Sequence, residues 1–156
     1  MDNIVTDYVF KSKSQILNIF YSKKNKSRKF RSSKDFLEWY TENVSDKSCY
    51  YCGLTERESQ QLVKKGLLKS KRFPIIGDLH LKGRTRGFWL ELDKVDPNGP
   101  YSETNCVPCC YFCNNDKSDV FTGQQYKLFS TDRIKFLKGL LNSPSCATHS
   151  ATPAVK

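Results

Sequence analysis

The stretch LELDKVDPNGPYSETNCVPCCYFCNNDKSD, residues 90 to 119, decides how this 156-residue chain is read. It contains Cys110 and Cys113, and upstream the segment CYYCG, residues 49 to 53, carries the matching pair Cys49 and Cys52. Two C-x-x-C pairs with 57 residues between them supply four thiolates for one tetrahedral zinc ion. An ion held by four thiolates has no open position. It is expected to staple the first knuckle to the start of a C-terminal helix, and to catalyse nothing itself. Cys106, Cys109 and Cys146 are expected to be bystanders; Cys109 competes with Cys110 only by breaking the two-residue spacing. Within Gly87 to Val95, GFWLELDKV, the residues Phe88, Leu90 and Leu92 alternate with Trp89, Glu91 and Asp93, a period of two that predicts a strand with one buried face. DLHLK, residues 78 to 82, lies across the turn-prone GRTRG and is its expected hairpin partner. DPNGPYSETN is rich in turn formers, and CVPCCYFCNNDKSDVF predicts a short strand running into a helix near the second cysteine pair.

Outward from this stretch, the chain is long enough for one domain with a modest core. Twenty-six Lys and Arg against 16 Asp and Glu give a formal charge of +10, which favours a polyanionic partner, nucleic acid first. Excess lysine also keeps small proteins soluble, so distribution matters more than the total. From Lys11 to Lys34 there are nine basic residues and no acid, with Phe20, Tyr21 and Phe30 interleaved, as on a surface that tracks phosphates. The opening MDNIVTDYVFKSKSQ has no apolar leader, and no apolar run approaches the roughly 20 residues that span a bilayer. An odd count of seven cysteines, four of them in metal-type pairs, points to an intracellular, reducing compartment rather than to disulfides. No internal repeat is present.

Ile16, Leu17 and Phe20 are spaced for one face of an N-terminal helix. Ser32 or Ser33 caps a second helix, with Asp35 in its first turn and Phe36, Leu37 and Tyr40 as its buried stripe, ending before TENVSDKS. TERESQQLVKKGLLKSKR predicts a short helix with a loop and is the expected insertion; TGQQYKLF and TDRIKFLKGLL predict later helices. The organisation expected is a basic, helical, DNA-contacting segment at 1–34, a core domain at 35–141 with an inserted segment near 54–75, and a disordered tail at 142–156.

The stretch 90 to 119 resembles HNH nucleases of phage and restriction type. Their pattern runs strand, Asp followed by His or Arg, a turn-rich loop with Gly-Tyr and Asn, then C-x-x-C-N-x-x-K opening a helix. CYYCG is similar to the family's first knuckle, and FLEWY to the helix preceding it in a rare-cutting restriction enzyme of this class. The resemblance covers about residues 20 to 125. It implies an α+β fold: a ββα-metal, treble-clef-like nuclease core with four-cysteine zinc knuckles and flanking helices. It also implies an endonuclease that hydrolyses DNA phosphodiester bonds, with zinc structural and one Mg2+ or Mn2+ catalytic. Asp93 and Asn114 correspond to the two oxygen ligands a hard divalent ion prefers, and Asn105 to the middle asparagine that braces the loop and so orients the base.

The chain departs from the family at the position of the general base, where Lys94 stands. A lysine with an ordinary pKa near 10.4 is a poor base at neutral pH, so Lys94 is expected to grip a phosphate. His80 and Tyr101 are the remaining candidates for activating water or attacking directly, with an ordinary strand histidine and a loop-packing tyrosine as the alternatives. Lys24, Lys26, Arg28, Lys29, Arg31, Lys82, Arg84, Arg86 and Lys117 are the expected nucleic-acid contacts, with Lys64 and Lys65 beside them. Palindromic cutting needs a two-fold dimer, so a homodimer is one expectation. Two other classes compete: a zinc-stabilised DNA-binding module that does not cut, and a zinc-stabilised protein adaptor. The latter would lack the steep salt dependence of phosphate contacts.

Overall fold

The computed structural model describes residues 8–22, 29–74 and 86–143. Its elements are α1 (Lys13–Tyr21), α2 (Ser33–Asn43), α3 (Glu56–Lys64), β1 (Glu91–Lys94), β2 (Cys106–Cys109), α4 (Tyr111–Lys117), α5 (Gly123–Lys127) and α6 (Thr131–Asn142). The expected partner strand DLHLK and the tail beyond residue 143 lie outside the described residues.

Local chemistry starts each N-terminal helix. Ser12 and Gln15 form a reciprocal capping box on α1, as Thr55 and Glu58 do on α3, while the Ser32 hydroxyl accepts from the Asp35 amide at 3.1 Å. Each such cap is worth about 1 kcal/mol. Helix α1 then buries Ile16 and sets the Phe20 ring 5.5 Å from Phe36, and Phe30 meets the same ring edge-on at 4.9 Å. Phe36 and Tyr40 bury the inner face of α2, which runs into the expected polar stretch as far as Asn43 because the next residue, Val44, is fully buried and its amide closes the last turn on Tyr40 O.

The segment expected as an insertion holds α3, and that helix is bound into the core. Its Glu56, Ser59, Gln60, Leu62 and Val63 are all buried. Glu56 Oε2 accepts from the Leu90 amide at 2.8 Å and Oε1 from the Tyr8 hydroxyl, while the Gln60 amide exchanges two hydrogen bonds with the Val9 backbone at 2.9 and 3.0 Å. Lys11 Nζ donates to Tyr40 Oη at 2.7 Å and to Leu90 O at 3.3 Å. Both backbone groups of Leu90, the residue that enters β1, are thus fixed by buried side chains, as buried backbone groups must be.

The expected strand over Gly87 to Val95 is corrected in length and in pattern. Phe88, Trp89 and Leu90 are all buried and precede the sheet, and within β1 the buried residue is Asp93, with Leu92 half-buried. Simple alternation fails because β1 is covered on both faces, one by the apolar core and the other by α4 and Tyr51. Strand β1 pairs antiparallel with β2 in the register Glu91 to Cys109 and Lys94 to Cys106. The first knuckle is pinned to this sheet by Tyr50 N donating to Pro108 O at 2.9 Å. Its turn needs a positive φ of 74° at Gly53, the residue after Cys52, which a glycine adopts without strain. Among the described residues no helix is long and apolar enough to cross a membrane.

Candidate active site

The ligand atoms of Cys49, Cys52, Cys110 and Cys113 all lie within 4.8 Å of one another. A zinc ion about 2.3 Å from each sulfur needs edges of about 3.8 Å, and Cys52 Sγ sits 3.7 Å from Cys110 Sγ. The donor set and spacing fit that ion. Cys110 is the N-cap of α4, its sulfur accepting from the Cys113 amide at 3.4 Å, so both cysteines of the second pair are fixed by the start of the helix. Cys109 packs behind the set; its thiol, with those of Cys110, Cys113 and Cys52, holds the Cys49 thiol far below its usual range.

Strand β1 and helix α4 face each other across two polar rungs. Glu91 and Asp93, two apart on the strand, share one face; Asn114 and Lys117, three apart on the helix, share another. Asn114 Nδ2 donates to Glu91 Oε2 at 2.6 Å, and Lys117 Nζ lies 3.1 Å from Asp93 Oδ2 and 3.3 Å from Oδ1. Asp93 and Asn114 are therefore diagonal neighbours on a ladder whose rungs are about 4.5 Å apart on the helix and about 6.8 Å apart on the strand. A carboxylate only accepts, so Asn114 must turn its nitrogen to Glu91 and keep its oxygen for another partner. Arg86 closes the outer end: its guanidinium forks onto Glu91 at 2.8 and 2.6 Å and lies over the Tyr111 ring at 4.8 Å.

Asp93 is not a free carboxylate. The Tyr51 hydroxyl donates to its Oδ2 at 2.5 Å, and Tyr51 sits inside the first knuckle between Cys49 and Cys52. Burial raises the Asp93 carboxyl above its usual range, while the Tyr51 and Lys117 bonds pull it back. Burial and the bond to Asp93 also raise the Tyr51 phenol, which acts as a donor and not as a base. Lys117, expected to contact nucleic acid, is corrected. Its side chain has no exposed surface, and Nζ is spent on Asp93 and on Lys94 O at 2.9 Å. Helix α4 carries it inward because its position is three beyond Asn114.

The loop between the strands is organised by Asn105. Its Nδ2 donates to Asp96 O and Pro100 O, both at 3.0 Å, and its Oδ1 accepts from the Asp96 amide at 2.9 Å. A Cβ at Gly99 would stand 2.7 Å from Asn105 Nδ2, so this brace requires a glycine there. Lys94 folds back onto the same loop, donating to Pro97 O at 2.6 Å and Gly99 O at 3.1 Å, with Nζ 5.2 Å from the centre of the half-buried Tyr101 ring. As folded, Lys94 is engaged with loop carbonyls rather than presented to a phosphate. Tyr101 O also accepts from the Lys29 amide at 2.8 Å, which brings the basic N-terminal segment against this loop.

Lys29 and Arg31 are exposed, and Arg86 is partly exposed at its Glu91 rung. Lys64 is half-buried over the Phe88 ring and Lys65 is exposed. Lys24, Lys26, Arg28, His80, Lys82 and Arg84 lie outside the described residues. Three participants escape the sequence reading: Tyr51, Glu91 and the inward Lys117. A signal for Glu91 is present, two residues before Asp93 on the same predicted face; nothing in the sequence distinguishes Tyr51 from Tyr50.

No protein-family model matches the sequence, and no curated protein matches it. Among solved structures, that of the rare-cutting HNH restriction endonuclease PacI, described as exhibiting an extraordinary mechanism of DNA perturbation, is similar with a TM-score of 0.59 and 21% identity, covering 89% of this chain and 92% of that one. The chain therefore has the fold of an HNH nuclease, a mixed architecture of helices and a small antiparallel sheet among the described residues, with a four-cysteine cluster that fits a zinc ion.

Proposed function

We propose that this protein is a metal-dependent HNH endonuclease that hydrolyses phosphodiester bonds of DNA. The observation that carries the proposal is the β1–α4 ladder, which sets Asp93 and Asn114 on facing elements next to the cysteine cluster. The likeness in fold to an HNH restriction endonuclease and the formal charge of +10 support it. The donor set suits a hard divalent ion such as Mg2+ or Mn2+: carboxylate oxygens at Asp93 and Glu91 and an amide oxygen at Asn114. When bound, such an ion neutralises charge on the scissile phosphate and on the departing 3′ oxygen.

The chain's own residues would do the rest. Cys110 and Cys113 hold the first turn of α4, and Asn114 follows Cys113 directly. Tyr51, from the other knuckle, holds Asp93. The four cysteines, closed on a zinc ion, would thus position both Asp93 and Asn114, each through an immediate covalent neighbour or one hydrogen bond. Glu91 orients the Asn114 amide, and Arg86, partly exposed, keeps guanidinium N–H groups free to meet a phosphate oxygen. Asn105 braces the loop. For activation of water the candidate is His80, because histidine is the side-chain type that ordinarily titrates near neutral pH; Tyr101 is half-buried under Lys94. Zinc, DNA and a second divalent metal are the partners this reading requires, and a homodimer is the form in which it would cut a palindrome.

A second reading has one observation in its favour. The Asp93 carboxylate is already neutralised by Lys117 and bonded to Tyr51, as in a domain that binds DNA without cutting it. Supercoiled plasmid incubated with zinc-loaded protein and Mg2+ or Mn2+ separates the two. The nuclease reading expects nicked or linear DNA and a loss of at least about 100-fold in Asn114→Ala. Tight, salt-dependent binding with intact plasmid under every divalent metal would establish the binding module instead.

A further inference from the structure

Both acids of β1 already carry an internal cation. Glu91 holds Arg86 in a two-bond fork, and Asp93 holds Lys117 through both carboxylate oxygens. The two cations differ in freedom. The Arg86 side chain is 39% exposed, whereas that of Lys117 is 0% exposed. Helix α4 ends at Lys117 itself, where Ser118 reverses the chain at a φ of 52°, and Nζ makes further bonds to Lys94 O and Ser118 O. Lys117 therefore has no path to solvent without opening the helix end.

We propose that Lys117 is a built-in counter-ion that occupies the charge position of the metal at Asp93, keeps affinity for a free divalent ion low, and thereby couples metal uptake to DNA. The proposal rests on the metal-dependent nuclease reading. Its physics is charge balance. With Glu91, Asp93, Arg86 and Lys117 in their paired forms the site has no net formal charge, and an incoming dication meets an ammonium a few ångströms away in a poorly solvated place, where like charges repel strongly. A DNA phosphate brings the missing negative charge, so the ion is favoured only once substrate is present. An enzyme so built does not hold a loaded metal in the absence of DNA.

The test is Mn2+ binding by calorimetry and by electron paramagnetic resonance, with zinc-loaded protein, first without DNA and then with a short duplex carrying non-hydrolysable linkages. In the wild type the duplex is expected to tighten Mn2+ binding at least about tenfold. Lys117→Gln, which keeps a donor for Lys94 O but removes the charge, is expected to tighten binding at least about tenfold without DNA and to lose most of the duplex effect. Equal affinities for wild type and Lys117→Gln, with the wild type responding normally to the duplex, would overturn the assignment while leaving the nuclease reading standing. No Mn2+ binding by any form, or binding that Asp93→Asn leaves unchanged, would overturn both. Should Lys117→Gln fail to fold, Tyr51→Phe removes the hydroxyl donor from Asp93 Oδ2 while leaving the ammonium in place. A gain below about threefold supports the role of charge, and a tenfold gain there would overturn it.

Discussion

Replacing Asp93 by alanine tests the proposed metal site, but the buried contacts of Asp93 give the substitution a second consequence. Lys117 has 0% of its side-chain surface exposed and Asp93 6%, so the substitution leaves a buried ammonium with only two backbone carbonyls. Breaking a buried pair by deleting one partner costs about 3–5 kcal/mol. The Tyr51 hydroxyl, now without its acceptor, adds about 1–3 kcal/mol. Against a total stability of roughly 5–15 kcal/mol the variant stands near the edge of folding. In a chain of this size, each kcal/mol moves Tm by about 2–4 °C, so a fall of at least about 8 °C is expected. Asp93→Asn keeps an acceptor and costs less; Asp93→Ala with Lys117→Met removes both charges together and regains most of the loss. The assay is urea denaturation of zinc-loaded protein followed by fluorescence of Trp39 and Trp89, run as a double-mutant cycle. A cost below about 1 kcal/mol for Asp93→Ala, or additive effects of the two substitutions, would refute the buried-pair reasoning.

The cysteine cluster makes a sharp prediction: Cys110→Ser and Cys113→Ser abolish zinc binding, whereas Cys106→Ser and Cys109→Ser retain one zinc per chain by metal analysis. Stripping the zinc removes an interaction of about 10–16 kcal/mol, comparable with the stability of the whole domain, so the far-ultraviolet circular dichroism of the helices should collapse. Glu56 supplies a pH dependence. Burial raises its carboxyl above the ordinary value, so the folded state favours the neutral form; stability from this group is present below the unfolded pKa of about 4.3 and is lost as pH rises through the folded value. The stability of Glu56→Gln relative to wild type should therefore climb between about pH 4.3 and neutrality, in a comparison that cancels the pH dependence of zinc binding. A difference flat with pH would contradict it.

The parts of the fold that sequence makes legible are those where covalent spacing imposes geometry. Each C-x-x-C spacing forecasts a metal-ligating pair, and Ser32 with Asp35 forecasts the start of α2, because these depend on residues two or three positions apart; the loop brace at Asn105 is legible only through the family resemblance. Spacing chooses less firmly between Cys109 and Cys110, since Cys106 and Cys109 also form a C-x-x-C in β2; the N-cap geometry of Cys110 makes the choice. Burial by distant elements is not legible. Leu92 and Asp93 read as core and surface, yet Tyr51 and α4 cover Asp93 and reverse the pattern. Lys117 reads as one more phosphate contact, because a charge count cannot tell an inward-facing lysine from an outward one. Lys94, expected on a phosphate, is held by carbonyls of the very loop it precedes.

The most direct measurement of the central claim is a crystal structure with a short DNA duplex and Mn2+, located by its anomalous scattering. The account predicts one Mn2+ between a phosphate oxygen and the oxygens of Asp93 and Asn114, beside a zinc held by Cys49, Cys52, Cys110 and Cys113. An anomalous peak remote from the β1–α4 ladder, or DNA bound with no Mn2+ at Asp93, would contradict it.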